Sequence, residues 1–276
     1  MGRPMAANLA RAGLLSQVFN RTPAVAEAFA ADFDVTVAGS PAELTAEVDV
    51  VAVCVSADED LAEVIEQMGP GLERGKIVVD HSTISPSTAR RIGQRLHESG
   101  VVFVDAPVTG GVEGAISGSL AIMVGGPEAA IPRLAPAFQA IGRLHRHLGP
   151  TGSGQAAKAV NQLMVAGIAE AACEALALME QLELPTDEML ELLSGGAAGS
   201  WFLNHRGKSL LERRFDTGFA PALLVKDLRI CESLAAEKGL DSSVLRQALA
   251  DFSLLAAHHQ DDRDISALIR IKSSRN

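Results

Sequence analysis

Gly152-Ser153-Gly154-Gln155-Ala156-Ala157-Lys158-Ala159-Val160-Asn161-Gln162 is the stretch on which the organisation of this chain turns. A glycine-rich turn runs directly into a long apolar helical pattern that carries a lysine and, one turn later, an asparagine. Helical positions three and four apart share a face, so Lys158, Asn161 and Gln162 can converge on one small site. The neighbours as far as Met179 are mostly Ala, Val, Leu, Ile and Met. A lysine in such a setting is costly unless paired or used, and burial makes its protonation adjustable. At this point two readings stand side by side, a lysine whose ammonium snorkels to water and a functional lysine.

The two sides of this stretch differ in character. Before Pro150, short β-rich runs alternate with helical patterns. Gln17 to Asn20, Val35 to Val37, Val48 to Val55, Lys76 to Asp80 and Val101 to Asp105 read as strands, with Leu120 to Val124 and Leu144 to Leu148 as further ones. Several are unbroken apolar runs, as expected of parallel strands covered on both faces. Helical patterns at Pro23 to Asp32, Ala57 to Met68 and Pro86 to Ser99 lie between them, which predicts a doubly wound α/β domain. From Gln155 on, only helical periodicity is convincing: Gln155 to Leu182, Thr186 to Leu193, Ser200 to Leu211, Ala222 to Lys238, Ser242 to His258 and Ser266 to Ile271. The expected fold class is α/β plus all-α, with domains at residues 1–150 and 151–276.

Composition narrows the function. The 276 residues, 47% hydrophobic, suffice for one or two packed domains, and the net charge of −10 argues against nucleic acid as a partner. No signal peptide opens the chain, and no unbroken apolar run reaches membrane-span length, so no membrane role is expected. Cys54, Cys173 and Cys231 are widely spaced among apolar neighbours. They read as reduced core residues of a cytoplasmic protein. His145 and His147 lack a nearby acidic or cysteine partner, so no metal site is expected. His258-His259 followed by Gln260-Asp261-Asp262 reads as a solvated helix end.

Met1-Gly2-Arg3-Pro4-Met5-Ala6 already reads as a helix. A nucleotide-binding α/β domain places a strand and a G-x-G-x-x-G turn before such a helix, and Gly2 fits the last glycine of that turn. The expectation is an upstream segment of roughly ten residues supplying the first strand and two further glycines. Asn20-Arg21-Thr22 then falls where the second strand meets the adenosine ribose. An arginine there favours a 2′-phosphate, and so NADP(H) over NAD(H), through a charge-assisted contact. Its alternative is a surface arginine before a helix started by Thr22-Pro23. Val55-Ser56 and Thr83 sit just past strand ends, on the edge where open parallel sheets bind ligands. Ser82 and Ser85 read as helix caps before Pro86. Thr109-Gly110-Gly111 offers unobstructed backbone amides to a small carboxylate, or is a plain turn.

Six segments, in order, resemble the β-hydroxyacid dehydrogenase family, that of 3-hydroxyisobutyrate dehydrogenase and tartronate semialdehyde reductase. They are Met1 to Ala6, Asn20-Arg21-Thr22, Asp80-His81-Ser82-Thr83-Ile84-Ser85-Pro86, Asp105-Ala106-Pro107-Val108-Thr109-Gly110-Gly111, Gly152 to Gln162, and Val225-Lys226-Asp227-Leu228. The resemblance implies a Rossmann domain, lacking its first strand here, followed by a helical domain whose long interdomain helix takes part in homodimer or homotetramer packing. It implies NAD(P)-dependent interconversion of a short β-hydroxy acid and its aldehyde or keto acid. Lys158 is then the general acid/base. Thr109, Gly110, Gly111, Asn161 and Gln162 bind the carboxylic acid substrate. Gly2, Asn20, Arg21, Thr22, Val55, Ser56, Thr83 and Lys226 line the cofactor, with Thr83 near the nicotinamide ribose and Lys226 bordering the nicotinamide. His81 is structural. Ser200, Trp201 and Asn204 are expected in the far wall of the substrate pocket. Two alternatives are an imine-reductase-like enzyme of the same fold, which usually places another residue at the lysine position, and a non-catalytic cofactor-binding or oligomerisation protein.

Overall fold

The structure is a computed structural model that describes residues 1–216, 218–258 and 264–273. The chain forms two compact units, Met1–Lys158 and Ala159–Asn276.

The first unit opens with helix α1 (Gly2–Arg11), which buries Met5, Ala7 and Leu9. Strand β1 (Gln17–Val18), helix α2 (Pro23–Ala30) and strand β2 (Thr36–Val37) follow. The two strands pair in parallel, Gln17 opposite Thr36. Next come α3 (Pro41–Ala46), β3 (Val50–Val53), α4 (Asp58–Met68), β4 (Ile77–Asp80), α5 (Pro86–Glu98) and β5 (Val102–Asp105). Strands β3, β4 and β5 form a parallel ladder in that order, with Val53, Asp80 and Asp105 aligned at its carboxyl end. All four residues of β4 are buried. Ile77 and Val79 pack with Leu134 and Phe138, while Val78 packs with Leu61 and Ile92. The two-residue alternation of a strand thus feeds two cores, as in a sheet covered on both faces.

The chain then reverses. Strand β6 (Val108–Thr109), α6 (Gly111–Ser117), β7 (Leu120–Val124), α7 (Ile131–Ile141) and β8 (Gly142–His147) complete the unit. β6 pairs antiparallel with β7, which pairs in parallel with β8, and an isolated Asp105–Gly125 bridge ties this sheet to the end of β5. The short β6 and the helices α3, α6 and α7 add to the expected elements. α6 arises where the Gly110-Gly111 turn swings directly into a helix, and α7 continues through Pro136.

Helix α8 (Ser153–Gln181) starts in the first unit and continues into the second. It is followed by α9 (Thr186–Gly195), α10 (Trp201–Leu211), α11 (Pro221–Glu237), α12 (Ser243–His258) and, after a 3₁₀ turn, α13 (Ile269–Ser273). Among the described residues this unit has no strand. Its core joins Ala166, Ala169, Cys173 and Leu176 of α8 to Leu224 and Leu228 of α11 and Phe252 of α12. The buried Lys272 ammonium meets three carboxylates, those of Glu170, Glu174 at 2.8 Å and Asp251 at 2.6 Å. Burial alone would lower the pKa of Lys272; the hydrogen bonds it donates to Asp251, Glu170 and Glu174 outweigh that and hold its pKa above the ordinary value.

Two expectations need correcting. Strand β3 stops at Val53, so Val55 lies in the loop. Cys54 is exposed rather than core, because the strand end turns it out of the sheet, whereas Cys173 and Cys231 are buried. Helix α8 is long and apolar enough to cross a bilayer, although 44% of its most apolar window is buried in the protein. The segment His259 to Asp262 lies outside the described residues.

The start of α8 allows no side chain at Gly154. A Cβ there would lie 2.4 Å from the Met123 carbonyl oxygen and 2.7 Å from that of Asp105. Neither obstacle is a side chain that can rotate away. Gly154→Ala is therefore expected to cost about 1–3 kcal/mol, read as a lower urea midpoint with an unchanged m-value.

Candidate active site

Asp105, the last residue of β5, is buried and receives two amides from the start of α8. Its Oδ1 accepts from the Gly152 N–H at 2.7 Å and its Oδ2 from the Gln155 N–H at 2.9 Å. A helix begins with unpaired N–H groups and partial positive charge, so a carboxylate satisfies it twice over. Burial pushes the Asp105 carboxyl above the usual carboxylate range, opposed by the amides of Gly152 and Gln155. Gly152 has φ +94°, a conformation that favours glycine, and it lets the chain turn into the helix.

Lys158 follows Gln155 by three positions on the same helix. It is 7% exposed, and its Nζ donates to the Val108 carbonyl at 2.9 Å. That contact brings the ammonium to the strand that leads into Thr109-Gly110-Gly111. Gly110 at φ +128° and Gly111 at φ +70° are both in the left-handed region. All three turn residues are partly exposed, while Val108 is buried.

The loops at the carboxyl ends of the parallel strands are cross-linked. The Val55 N–H donates to Ser82 Oγ at 2.9 Å, and the Ser82 N–H to Asp80 Oδ1 at 3.0 Å. Ser85 caps α5 as expected, accepting from the Thr88 N–H. Ser82 is no helix cap: its hydroxyl faces the neighbouring loop. Ser56 is exposed and Thr83 partly so. At the end of β1, Asn20 Oδ1 accepts from the Thr22 N–H, closing the turn. The Arg21 side chain is 82% exposed and reaches Asp60 Oδ1, in the first turn of α4, at 3.3 Å. Gly2 begins α1, where an added Cβ would touch Cys54 Cβ at 3.5 Å, an ordinary contact. His81 is buried, with Nδ1 2.7 Å from the Ala106 carbonyl oxygen, and burial lowers its pKa.

In the second unit the candidate residues form a relay. Asn161 Nδ2 donates to Gln162 Oε1 at 2.8 Å, and Gln162 Nε2 to Asp227 Oδ2 at 2.6 Å. Lys226 Nζ lies 3.0 Å from Asp227 Oδ1. Gln162 is buried with both ends of its amide engaged, its Oε1 by Asn161 and its Nε2 by Asp227. Ser200 caps α10 through the Leu203 N–H; Trp201 is exposed, stacked on His205 at 4.2 Å, and Asn204 is exposed. Asp105, Gln155 and Asp227 are the residues that sequence reasoning passed over. The Asp105 signal was a carboxylate at a strand end in a chain with a glycine-rich helix start downstream. Gln155 and Asp227 stand near Lys158 and Lys226 in the sequence and carry no local signal of their own.

A parallel sheet whose loops gather at its carboxyl edge, followed in the chain by a helical unit, has the layout of a dinucleotide-binding protein. Comparison with known proteins agrees. Residues 1–151 match the family described as the NAD-binding domain of 6-phosphogluconate dehydrogenase, and residues 152–272 the family described as NAD-binding of NADP-dependent 3-hydroxyisobutyrate dehydrogenase. The chain is 34% identical to 2-hydroxy-3-oxopropionate reductase of Escherichia coli, over 98% of this chain and 93% of that one. It is 36% identical to a probable mitochondrial 3-hydroxyisobutyrate dehydrogenase-like protein of Arabidopsis thaliana, over 98% and 81%. The structure of Mycobacterium tuberculosis 3-hydroxyisobutyrate dehydrogenase with L-serine superposes with a TM-score of 0.87 at 32% identity, covering 98% of this chain and 95% of that one. The chain belongs to the β-hydroxyacid dehydrogenase family of NAD(P)-dependent oxidoreductases acting on CH–OH groups.

Asp80 carries a pH signature. It is fully buried, and its Oδ2 has no hydrogen-bond partner among the described residues. Burial raises its pKa to about 7. The folded chain therefore keeps a proton that the unfolded chain loses near the ordinary carboxylate value. The resulting stability is complete below that value and is lost as the pH rises through about 7. Asp80→Asn removes the titration. Its urea midpoint, relative to the unaltered protein, is expected to climb from about pH 4 to about pH 7 and then level off; a difference that is flat with pH would refute the assignment.

Proposed function

We propose that this chain catalyses reversible hydride transfer between NADP(H) and the carbinol carbon of a short β-hydroxy acid, or the corresponding aldehyde or keto acid. The observation that carries the reading is Lys158, buried yet aimed at the Val108 carbonyl beside the Thr109-Gly110-Gly111 turn. The nicotinamide supplies or accepts the hydride when bound. Lys158 gives a proton to the nascent alkoxide in reduction and takes it back in oxidation. Thr109, Gly110 and Gly111 hold the substrate carboxylate through hydroxyl and backbone amides. Asn161 orients the substrate, and Gln162 holds Asn161.

Gly2, Asn20, Thr22, Val55, Ser56, Thr83 and Lys226 are assigned to the cofactor, with Lys226 bordering the nicotinamide. Arg21 is assigned to the 2′-phosphate; its side chain projects into solvent at the end of β1, which suits a phosphate ligand. A charge-assisted contact of this kind contributes about 1.5–3 kcal/mol. Arg21→Ala should reduce the preference for NADPH over NADH by about tenfold or more in kcat/KM.

The exposed side of α8 supports a homodimer as the basic assembly. Val160, Met164, Ile168 and Leu178 are exposed at helical spacing, and Leu182 just past the helix end is exposed too. An apolar stripe of this length fits a second copy of the same chain. Free cysteines fit the cytoplasm as its compartment. Met164→Glu combined with Ile168→Glu should yield a smaller species in light scattering, and an unchanged mass would remove the stripe from the interface.

The reaction is tested by offering glyoxylate, tartronate semialdehyde and succinic semialdehyde with each cofactor. Lys158→Ala is expected to lower kcat by about 10²–10⁴-fold while leaving NADPH binding nearly intact. Retained turnover in that variant would sink the mechanism.

A further inference from the structure

Gln155 is 1% exposed, and the proposed mechanism gives it no task. Its side-chain amide nevertheless spends both ends on one loop. Oε1 accepts from the Ile84 N–H at 3.2 Å, and Nε2 donates to the Ser82 carbonyl at 2.8 Å. The residue between those two is Thr83. Gln155 therefore grips the backbone on both sides of the residue assigned to the nicotinamide ribose. Its own N–H is held by Asp105 Oδ2, and Lys158 stands three positions further along the same helix. The same loop is tied to Val55 through Ser82 Oγ.

We infer that Gln155 is a positioning residue that sets the cofactor loop at Ser82-Thr83-Ile84 in register with the helix face carrying Lys158. The inference rests on the proposed dehydrogenase reading and deepens it. Hydride transfer depends steeply on geometry, and a displacement of about 1 Å can cost on the order of 10²-fold in rate. A loop and a helix that each packed well but lacked this clamp would leave that distance unset. A carboxamide suits the task because it offers a donor and an acceptor side by side, matching one carbonyl and one N–H two residues apart.

The test uses the whole chain with Gln155→Met, which keeps length and apolar volume but deletes both hydrogen bonds, and Gln155→Glu, which keeps the acceptor. The expected result for Gln155→Met is a single-turnover hydride-transfer rate lowered by about 10–100-fold, carrying an isotope effect with deuterated NADPH. Its NADPH affinity should stay within about threefold and its Tm within a few degrees. In Gln155→Glu the ionised carboxylate repels the Ser82 carbonyl, whereas the protonated acid can donate to it. This variant should therefore outperform Gln155→Met once the pH is lowered to about 5.

A hydride-transfer rate for Gln155→Met within about twofold of the unaltered protein would overturn the inference. So would a loss fully explained by Tm or by NADPH affinity, or a Gln155→Glu variant that tracks Gln155→Met at every pH. Lys158→Ala in the same assay separates the two readings. If it keeps its rate, the proton-donor assignment fails, while a loss confined to the Gln155 variants upholds the clamp. If the unaltered chain reduces none of the acids, the functional reading fails first. Hydrogen exchange at the Ile84 amide then decides the clamp, with faster exchange in Gln155→Met expected and unchanged protection overturning it.

Discussion

The fully buried carboxylate of Asp105 at the amino end of α8 is the interaction on which the site depends. Removing a carboxylate from water costs several kcal/mol unless it is fully hydrogen-bonded. Here the Gly152 and Gln155 amides meet it, and the positive end of a 29-residue helix lies behind them. Three glycines make the approach possible. Gly152 supplies the turn, while Gly154 and Gly125 lack the Cβ atoms that would collide with backbone or with the Asp105 carboxylate. Once the first turn of α8 is pinned to β5, the direction of every later side chain on that turn follows from helix geometry.

The parallel ladder supplies the other half of the geometry. β3, β4 and β5 end level with one another, so the loops after Val53, Asp80 and Asp105 open at one edge. The reversal at Pro107 that makes β6 antiparallel to β7 turns the Val108 carbonyl toward Lys158 and delivers Thr109 to the same region. Ser82 joins the first two loops and Gln155 joins the second to the helix. The edge is thus a connected hydrogen-bonded frame rather than a set of independent loops.

Much of this was legible before any coordinates. The unbroken apolar runs marked β4 and β5 as covered on both faces, and the helical half followed from its periodicity. Lys158 stood out because a lysine inside an Ala-rich helix invites explanation. The residues that went unseen are those whose role is relational. Asp105 reads as an ordinary strand end until Gly152 is known to face it, and Gln155 looks unremarkable until Thr83 lies between its two partners. Ser82 was misread for the same reason: capping is a local rule, whereas its hydroxyl answers a loop 27 residues away. The short strand β6 and the helix α6 escaped because two glycines in sequence signal a turn and say nothing of what the turn leads into.

Helix α8 also shows how one periodicity can sort three tasks. Gln155, Lys158 and Gln162 fall on one side, at intervals of three and four, and each is buried with a polar partner supplied. Val160, Met164 and Ile168 fall on the opposite side and are exposed. This portion of the helix buries three polar side chains beside the small apolar Ala159 and Ala166 and leaves its large apolar ones outward, unlike a surface helix on a monomer. An inward polar face is tolerable only because every amide and ammonium named here meets a partner; an outward apolar face is tolerable only if something covers it. The arrangement that brings a lysine inward to a backbone carbonyl also leaves an apolar stripe on the outside, so the proposed site chemistry and the proposed assembly rest on opposite faces of one element.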